Sequence, residues 1–104
     1  MAGKLQAHLM IEEGNIAPYV LLPGDPGRVL RIGEKMDSFQ EVAYNREFRT
    51  ITGKYEGISV TVTSSGIGGP SAAIAVEELA NSGAKVVIRV CSCGAYNPGV
   101  EVGD

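Results

Sequence analysis

A strand–loop–helix–strand pattern between residues 58 and 90 limits the possible folds more than any other feature. Residues 58–63 favour a strand, a glycine-rich loop follows, and residues 70–81 read as a helix between Pro70 and Gly83. The predicted apolar face of that helix holds Ala73, Val76, Leu79 and Ala80, with Glu77, Glu78 and Asn81 towards the other side. Residues 85–90 form a second apolar strand. Two strands joined through a helix predict an α/β fold with a partly parallel sheet.

The rest of the chain adds a helix and more strands. The segment up to residue 17 is predicted to be polar and peripheral, and residues 18–22 to form a short buried strand ending at Pro23. A turn follows, in which Pro26 suits a helix start with Asp25 before it as a possible N-cap, and residues 28–36 then fit a short amphipathic helix. Residues 41–63 predict two or three strands with hairpin-like links.

We therefore expect residues 1–104 to form one domain with a mixed, partly parallel central sheet flanked by helices. Both faces of a parallel sheet need cover, and only two helices are predicted. We expect a truncated domain, the N-terminal part of a larger one.

Composition restricts the function classes. A hydrophobic share of 44% is that of a globular domain, and a net charge of −3 argues against nucleic-acid partners and anionic membranes. No segment reads as a transmembrane helix or a signal peptide. Cys91 and Cys93 are separated by one residue, and we expect them to be reduced thiols in a cytoplasmic protein. Together with one distant histidine they are too few ligands for a metal site.

One arginine, Arg89, stands inside the apolar run of residues 86–90, and Ser92 and Gly94 follow it. A guanidinium in a buried strand is costly unless an anion or an acid pairs with it. Backbone N–H groups and the Ser92 hydroxyl would complete a site for an oxyanion such as phosphate. Pairing of Arg89 with an internal carboxylate is equally compatible with the sequence.

Glycine follows three predicted strand ends, after residues 22, 63 and 90. Gly24 precedes a helix that carries Arg28 in its first turn, and helix N-termini bind anions. The loop over residues 65–70 lacks the dinucleotide and nucleoside-triphosphate motifs. Taken singly, such turns are more typical of packing, with Arg28, Arg46 and His8 as surface residues. Because ligands bind at the carboxyl ends of strands, the three ends together favour an anion-binding crevice.

Four ordered segments resemble the nucleoside phosphorylase family, which contains the hexameric purine nucleoside phosphorylases and the uridine phosphorylases. They extend over most of the chain, from about His8 to Asp104. The segments are Gly24-Asp25-Pro26-x-Arg28, Asn45-Arg46-Glu47-Phe48, residues 64–74 followed by Glu78-Leu79, and Arg89-x-x-Ser92-Cys93-Gly94-Ala95.

The resemblance implies phosphorolysis of a purine nucleoside or uridine, with inorganic phosphate as co-substrate and no cofactor, to free base and ribose 1-phosphate. Phosphate would be bound by Gly24, Arg28, Arg89 and Ser92, and by Arg46 from a neighbouring subunit of a homo-oligomer, a hexamer in the full-length form. His8 would reach a neighbour's ribose 5′-hydroxyl. The ribose and base would be lined by Ile67, Ser92, Cys93 and Gly94.

Two departures from the family's pattern qualify these expectations. Cys91 replaces a usual glycine, and its side chain either crowds the phosphate loop or packs behind it. The base-reading groups and the general acid would lie beyond Asp104, so no catalytic residue is assigned and the 104-residue polypeptide is predicted to be inactive alone. The loop Ser92-Cys93-Gly94 slightly favours purines, whereas residues 66–70 look more like uridine phosphorylases. A non-catalytic phosphate- or nucleoside-binding fragment is the alternative.

Overall fold

A computed structural model describes residues 5–12, 14–90 and 98–99. The described elements are β1 (Tyr19–Pro23), α1 (Pro26–Gly33), β2 (Ser38–Asn45), β3 (Phe48–Tyr55), β4 (Ile58–Thr63), α2 (Gly69–Asn81) and β5 (Val86–Val90). The strands form a five-stranded sheet in the order β2-β3-β4-β1-β5. Strand β1 is parallel to both β4 and β5, and β3 is antiparallel to both β2 and β4. The α/β class and the mixed, partly parallel sheet are confirmed.

The antiparallel half of the sheet consists of two consecutive hairpins, as predicted, although β2 begins at Ser38 rather than near residue 41. Tyr55 pairs with Ile58, which leaves Glu56 and Gly57 as a two-residue turn. Their φ angles of +50° and +83° are those of the turn type whose twist matches that of the strands.

The two helices lie on opposite faces of the sheet. On the α1 face, Val29 packs with Ile51 and Val62, and on the α2 face Leu79 joins the core. Helix α1 begins at Pro26, as the sequence predicts, because the Asp25 carboxylate accepts a hydrogen bond from the Gly27 N–H at 3.1 Å and caps the first turn; it ends at Gly33, before the predicted residue 36. No helix in the described part of the chain is long and apolar enough to cross a bilayer.

The prediction of a peripheral N-terminal segment is wrong. Leu9 and Ile11 are completely buried, and Ala17 is nearly so. The segment packs on the α2 face, where the Ala17 N–H donates to the Thr61 hydroxyl at 2.7 Å. A few apolar side chains among polar ones are enough to dock it because the sheet supplies hydrogen-bond partners for its backbone.

The predicted apolar face of α2 is also wrong in part. Leu79 is buried as expected, but Ala73, Val76 and Ala80 are exposed, whereas Glu78 is only 8% exposed. The carboxylate turns inward because the Leu9 backbone N–H donates to its Oε1 at 2.8 Å. A partner that is distant in sequence therefore rotates the helix from the orientation that its apolar residues suggest.

Strand β5 is not buried as predicted. Among the described residues it is an edge strand, with Val86 43% and Ile88 55% exposed, and Arg89 is exposed as well. Strand β1 begins at Tyr19, which is also exposed. The premise that burial obliges Arg89 to pair with an anion or an acid therefore does not hold in the described part of the chain.

Candidate functional site

The three parallel strands end at one edge of the sheet. Strands β4, β1 and β5 are neighbours, so the segments that follow β1 and β4 meet beside the end of β5. The Ser65 N–H donates to the Pro23 carbonyl at 2.8 Å, and the Gly66 N–H donates to the Gly24 carbonyl at 2.9 Å. These bonds continue the β1–β4 ladder beyond the strands and fix the two glycine-containing loops against each other. The structure thus brings together the strand ends that the sequence predicts to converge.

A cleft of about 560 Å³ opens at this edge. It lies beside the start of α1 and is lined by Gly24, Asp25, Pro26, Glu47, Gly66, Ile67, Gly68 and Arg89. Both lining carboxylates already accept hydrogen bonds from the protein: Asp25 from the Gly27 N–H, and Glu47 from the Ser71 hydroxyl at 2.8 Å. The cleft therefore combines one guanidinium, engaged carboxylates and exposed glycine backbone.

Arg89 reaches into the cleft from β5. Its Nη1 donates to the Ser65 hydroxyl, and a Cβ built on Gly24 would lie 3.5 Å from its Nη2. Arg89 forms no ion pair with a carboxylate among the described residues. The internal carboxylate partner that the sequence left open is therefore not found in that part of the chain. A guanidinium has several N–H donors, so the group keeps capacity for an anionic ligand.

Glu47 is not among the site residues predicted from the sequence, although its neighbour Arg46 in the segment Asn45-Arg46-Glu47-Phe48 is. Its own backbone N–H and then the Ser71 hydroxyl lower the pKa of the Glu47 carboxyl, with a smaller opposing effect of burial. Its Cγ would collide with a Cβ on Gly66, so the side chain lies directly against the glycine loop. Nothing local in the sequence distinguished Glu47 from a surface carboxylate, because its place at the cleft depends on contact with Gly66 and Ser71, which are distant in sequence.

The other predicted site residues lie at varying distances from the cleft. Arg28 is exposed in the first turn of α1, just after the lining residue Pro26, and does not itself line the cleft. Arg46 is exposed in the β2–β3 turn with a left-handed φ of +53°. Ile67 lines the cleft mouth and is 98% exposed. Cys91 and the predicted ligand residues Ser92, Cys93 and Gly94 lie outside the described residues.

His8 does not line the cleft and belongs to a second cluster. Its Nδ1 is 2.7 Å from Glu78 Oε2, and its side chain is 43% exposed. The Asn45 side-chain amide donates to the His8 carbonyl at 2.7 Å, which ties the segment to the β2–β3 hairpin. Burial would raise the pKa of Glu78, but the Leu9 N–H and then the His8 contacts outweigh it, so this pKa is lowered.

Comparison with known proteins agrees with this geometry. Residues 18–104 match the phosphorylase superfamily. The uridine phosphorylase of Thermococcus kodakarensis is 56% identical over 100 residues, which cover 96% of this chain and 36% of that protein. The guanosine phosphorylase of Halorubrum lacusprofundi is 48% identical over 99 residues, covering 95% of this chain and 41% of that protein.

Solved structures give the same assignment. The crystal structure of the uridine phosphorylase from Vibrio fischeri superposes with a TM-score of 0.89 at 46% identity, over 95% of this chain and 41% of that one. The purine nucleoside phosphorylase of Toxoplasma gondii, solved with immucillin-H, gives 0.80 at 42% identity, over 82% of this chain and 34% of that one. This chain therefore spans between 34% and 41% of the length of these relatives. By sequence and by fold, it belongs to the phosphorylase superfamily and has the fold of the nucleoside phosphorylases.

Proposed function

We propose that this chain carries the phosphate-binding part of a nucleoside phosphorylase. The reaction is the cleavage of the N-glycosidic bond of a purine nucleoside or uridine by inorganic phosphate, which yields free base and ribose 1-phosphate. The observation that carries the proposal is the guanidinium of Arg89. It lies over the backbone of Gly24 at the shared end of three parallel strands, without a carboxylate partner among the described residues.

The proposed chemistry needs a dianion held in a fixed place. Phosphorolysis develops positive charge on the sugar, and the attacking phosphate must lie under the anomeric carbon. A guanidinium offers a planar pair of donors to phosphate oxygens and places the dianion against the developing charge. Gly24 has no side chain to block the approach of phosphate to the backbone, and Arg28 is near enough in sequence to add a second positive charge. Ser92 would complete the phosphate site.

The proposed substrate is either a purine nucleoside or uridine, since the relatives include uridine, guanosine and purine nucleoside phosphorylases. The loop Ser92-Cys93-Gly94 slightly favours purines. The exposed position of Arg46 and the partly exposed position of His8, both outside the cleft lining, are compatible with contributions to neighbouring sites in a homo-oligomer. Action without a metal or organic cofactor, and a cytoplasmic location, stay predictions.

The direct test is complementation. This chain is mixed with a polypeptide containing the part of the Thermococcus kodakarensis uridine phosphorylase that this chain does not match. Phosphate-dependent release of uracil from uridine and of hypoxanthine from inosine is then measured. We expect turnover from the mixture and none from this chain alone. Arg89→Ala should lower the turnover by about a hundredfold, as expected when a preorganised donor is lost.

The matched control is Arg49→Ala. Arg49 is paired with Glu41 at 2.8 Å and lies over the Tyr44 ring, away from the cleft. Its removal should leave turnover nearly unchanged. Equal turnover by the Arg89→Ala and unsubstituted chains would contradict the proposal.

The second candidate function is non-catalytic binding of phosphate or a nucleoside, and Cys91 in place of the family's usual glycine favours it. In that case calorimetry would show phosphate binding that Arg89→Ala abolishes, whereas the complemented mixture would show no turnover. A chain without any anion site would show no phosphate binding before or after the substitution.

A further inference from the structure

Ser65 lies beneath the cleft without lining it. It is completely buried, and each of its polar groups has a partner. Its N–H donates to the Pro23 carbonyl at 2.8 Å, and its carbonyl shares the single donor of the Ser71 hydroxyl with the Glu47 carboxylate. Its hydroxyl donates to the Gly66 carbonyl at 3.2 Å and accepts from Arg89 Nη1. One buried serine therefore connects the ends of β1 and β4, the start of α2 and the arginine of β5.

The contact with Arg89 spans a strand. Because β1 lies between β4 and β5, the arginine side chain must cross the end of β1 to reach Ser65. It crosses at Gly24, where a Cβ would lie 3.5 Å from Nη2. Arg89 is exposed on an edge strand, where a long side chain would otherwise sample many rotamers. In the described part of the chain, the bond to Ser65 is the hydrogen bond that fixes its guanidinium.

We propose that Ser65 is a positioning residue for the anion site. Its hydroxyl occupies one nitrogen of Arg89 and holds the planar group over Gly24, so that the remaining N–H groups bind two oxygens of a phosphate. The inference depends on the phosphate site proposed above. A hydroxyl suits this role because it is uncharged: it orients the guanidinium without neutralising it, whereas a carboxylate at the same place would compete with the ligand.

The test compares two variants that each lose one buried hydroxyl. Ser65→Ala removes the acceptor for Arg89. Ser82→Ala removes a hydroxyl that donates to the Glu78 carbonyl at 2.9 Å, at the far end of α2. Calorimetric titration with inorganic phosphate should give about tenfold weaker binding for Ser65→Ala, as expected for a lost hydrogen bond to a charged group. The affinity of Ser82→Ala should stay within about twofold of the unsubstituted chain.

Thermal unfolding without phosphate separates positioning from stability, because both variants lose a buried hydroxyl and should be destabilised to a similar extent. Equal phosphate affinity of Ser65→Ala and the unsubstituted chain, with Arg89→Ala abolishing binding, overturns the role of Ser65 alone. An equal loss of affinity in Ser82→Ala also overturns it. Absence of phosphate binding by the unsubstituted chain overturns the phosphate site, and the role of Ser65 with it.

A second measurement needs no substitution at Ser65. Side-chain NMR of the unsubstituted chain reports the mobility of each arginine Nε–H group. Arg31, which is exposed in the last turn of α1, is the internal control. We expect the guanidinium of Arg89 to be restrained before phosphate is added, in contrast to that of Arg31. Equal mobility of the two would overturn the proposal even if Ser65→Ala failed to fold.

Discussion

At the scale of single residues, two glycines of the cleft differ in whether the structure has room for an added Cβ. Gly24 does not have a left-handed φ, and a Cβ there would meet the Gly66 carbonyl oxygen at 3.4 Å and Arg89 Nη2 at 3.5 Å, which are ordinary contacts. Gly66 has φ +73°, and a Cβ there would collide with Glu47 Cγ and lie 2.9 Å from the Ser71 hydroxyl. The first glycine is therefore suited to ligand access, and the second is required by the loop itself.

Gly24→Ala should fold normally but bind phosphate less tightly, by about tenfold, because the methyl group occupies the space between backbone and guanidinium. Calorimetric titration with phosphate measures the affinity, and urea unfolding measures stability. Gly69→Ala is the control, since a Cβ there meets nothing within 4 Å. Unchanged phosphate affinity in Gly24→Ala would show that phosphate does not approach this part of the backbone.

Gly66→Ala should instead destabilise the fold by about 1–3 kcal/mol, because it combines a strained φ with overpacking against Glu47. Urea unfolding of this variant beside Gly69→Ala checks the expectation. If both variants unfold at the same urea concentration, the close approach of Glu47 to the glycine loop is not present in solution.

At the scale of secondary-structure elements, Glu78 connects the N-terminal segment to α2. Its carboxylate accepts backbone N–H bonds from His8 at 3.0 Å and Leu9 at 2.8 Å, in addition to the imidazole contact. Glu78→Gln keeps the shape but removes the charge, so it should cost about 1–3 kcal/mol of unfolding free energy at neutral pH. The adjacent, exposed Glu77 provides the control, and Glu77→Gln should change stability by less than about 0.5 kcal/mol.

The pH dependence of that difference has a definite sign. The folded-state pKa of Glu78 is lowered from its ordinary value of 4.5. Its stabilising contribution is therefore complete above pH 4.5 and is lost as the pH falls through the folded-state pKa. The difference in unfolding free energy between the unsubstituted chain and Glu78→Gln should be constant near neutral pH and should shrink in acid. A difference that grows as the pH falls would exclude the charged carboxylate as the cause.

The elements show which parts of the fold local sequence determines. The hairpin turn at Glu56-Gly57 and the capped start of α1 at Asp25 follow from turn and cap chemistry within a few residues. The inward face of α2 does not, because the apolar pattern treats Glu78 as a solvent residue. Only the N–H groups of a segment some 70 residues away make its burial favourable.

At the scale of the whole molecule, the topology explains why the convergence of the strand ends could be predicted from the sequence. Three parallel neighbours end at one edge, so the glycine-containing loops after β1 and β4 meet beside the end of β5. The contributions of Ser65 and Glu47 could not be predicted, since they depend on a side chain that crosses β1 and on a turn that folds back over Gly66. The exposure of Val86 and Ile88 was missed because periodicity identifies a strand but does not show which neighbours cover it.

The most direct test of an anion site at this edge is a titration of the ¹⁵N-labelled chain with inorganic phosphate, followed by NMR. We expect the backbone signals of Gly24, Gly66 and Arg89, which come from three different strand ends, to shift together along one saturating binding curve. In Arg89→Ala the remaining signals should no longer saturate. Shifts that never saturate, or saturating shifts confined to residues outside the cleft, would contradict a common phosphate site.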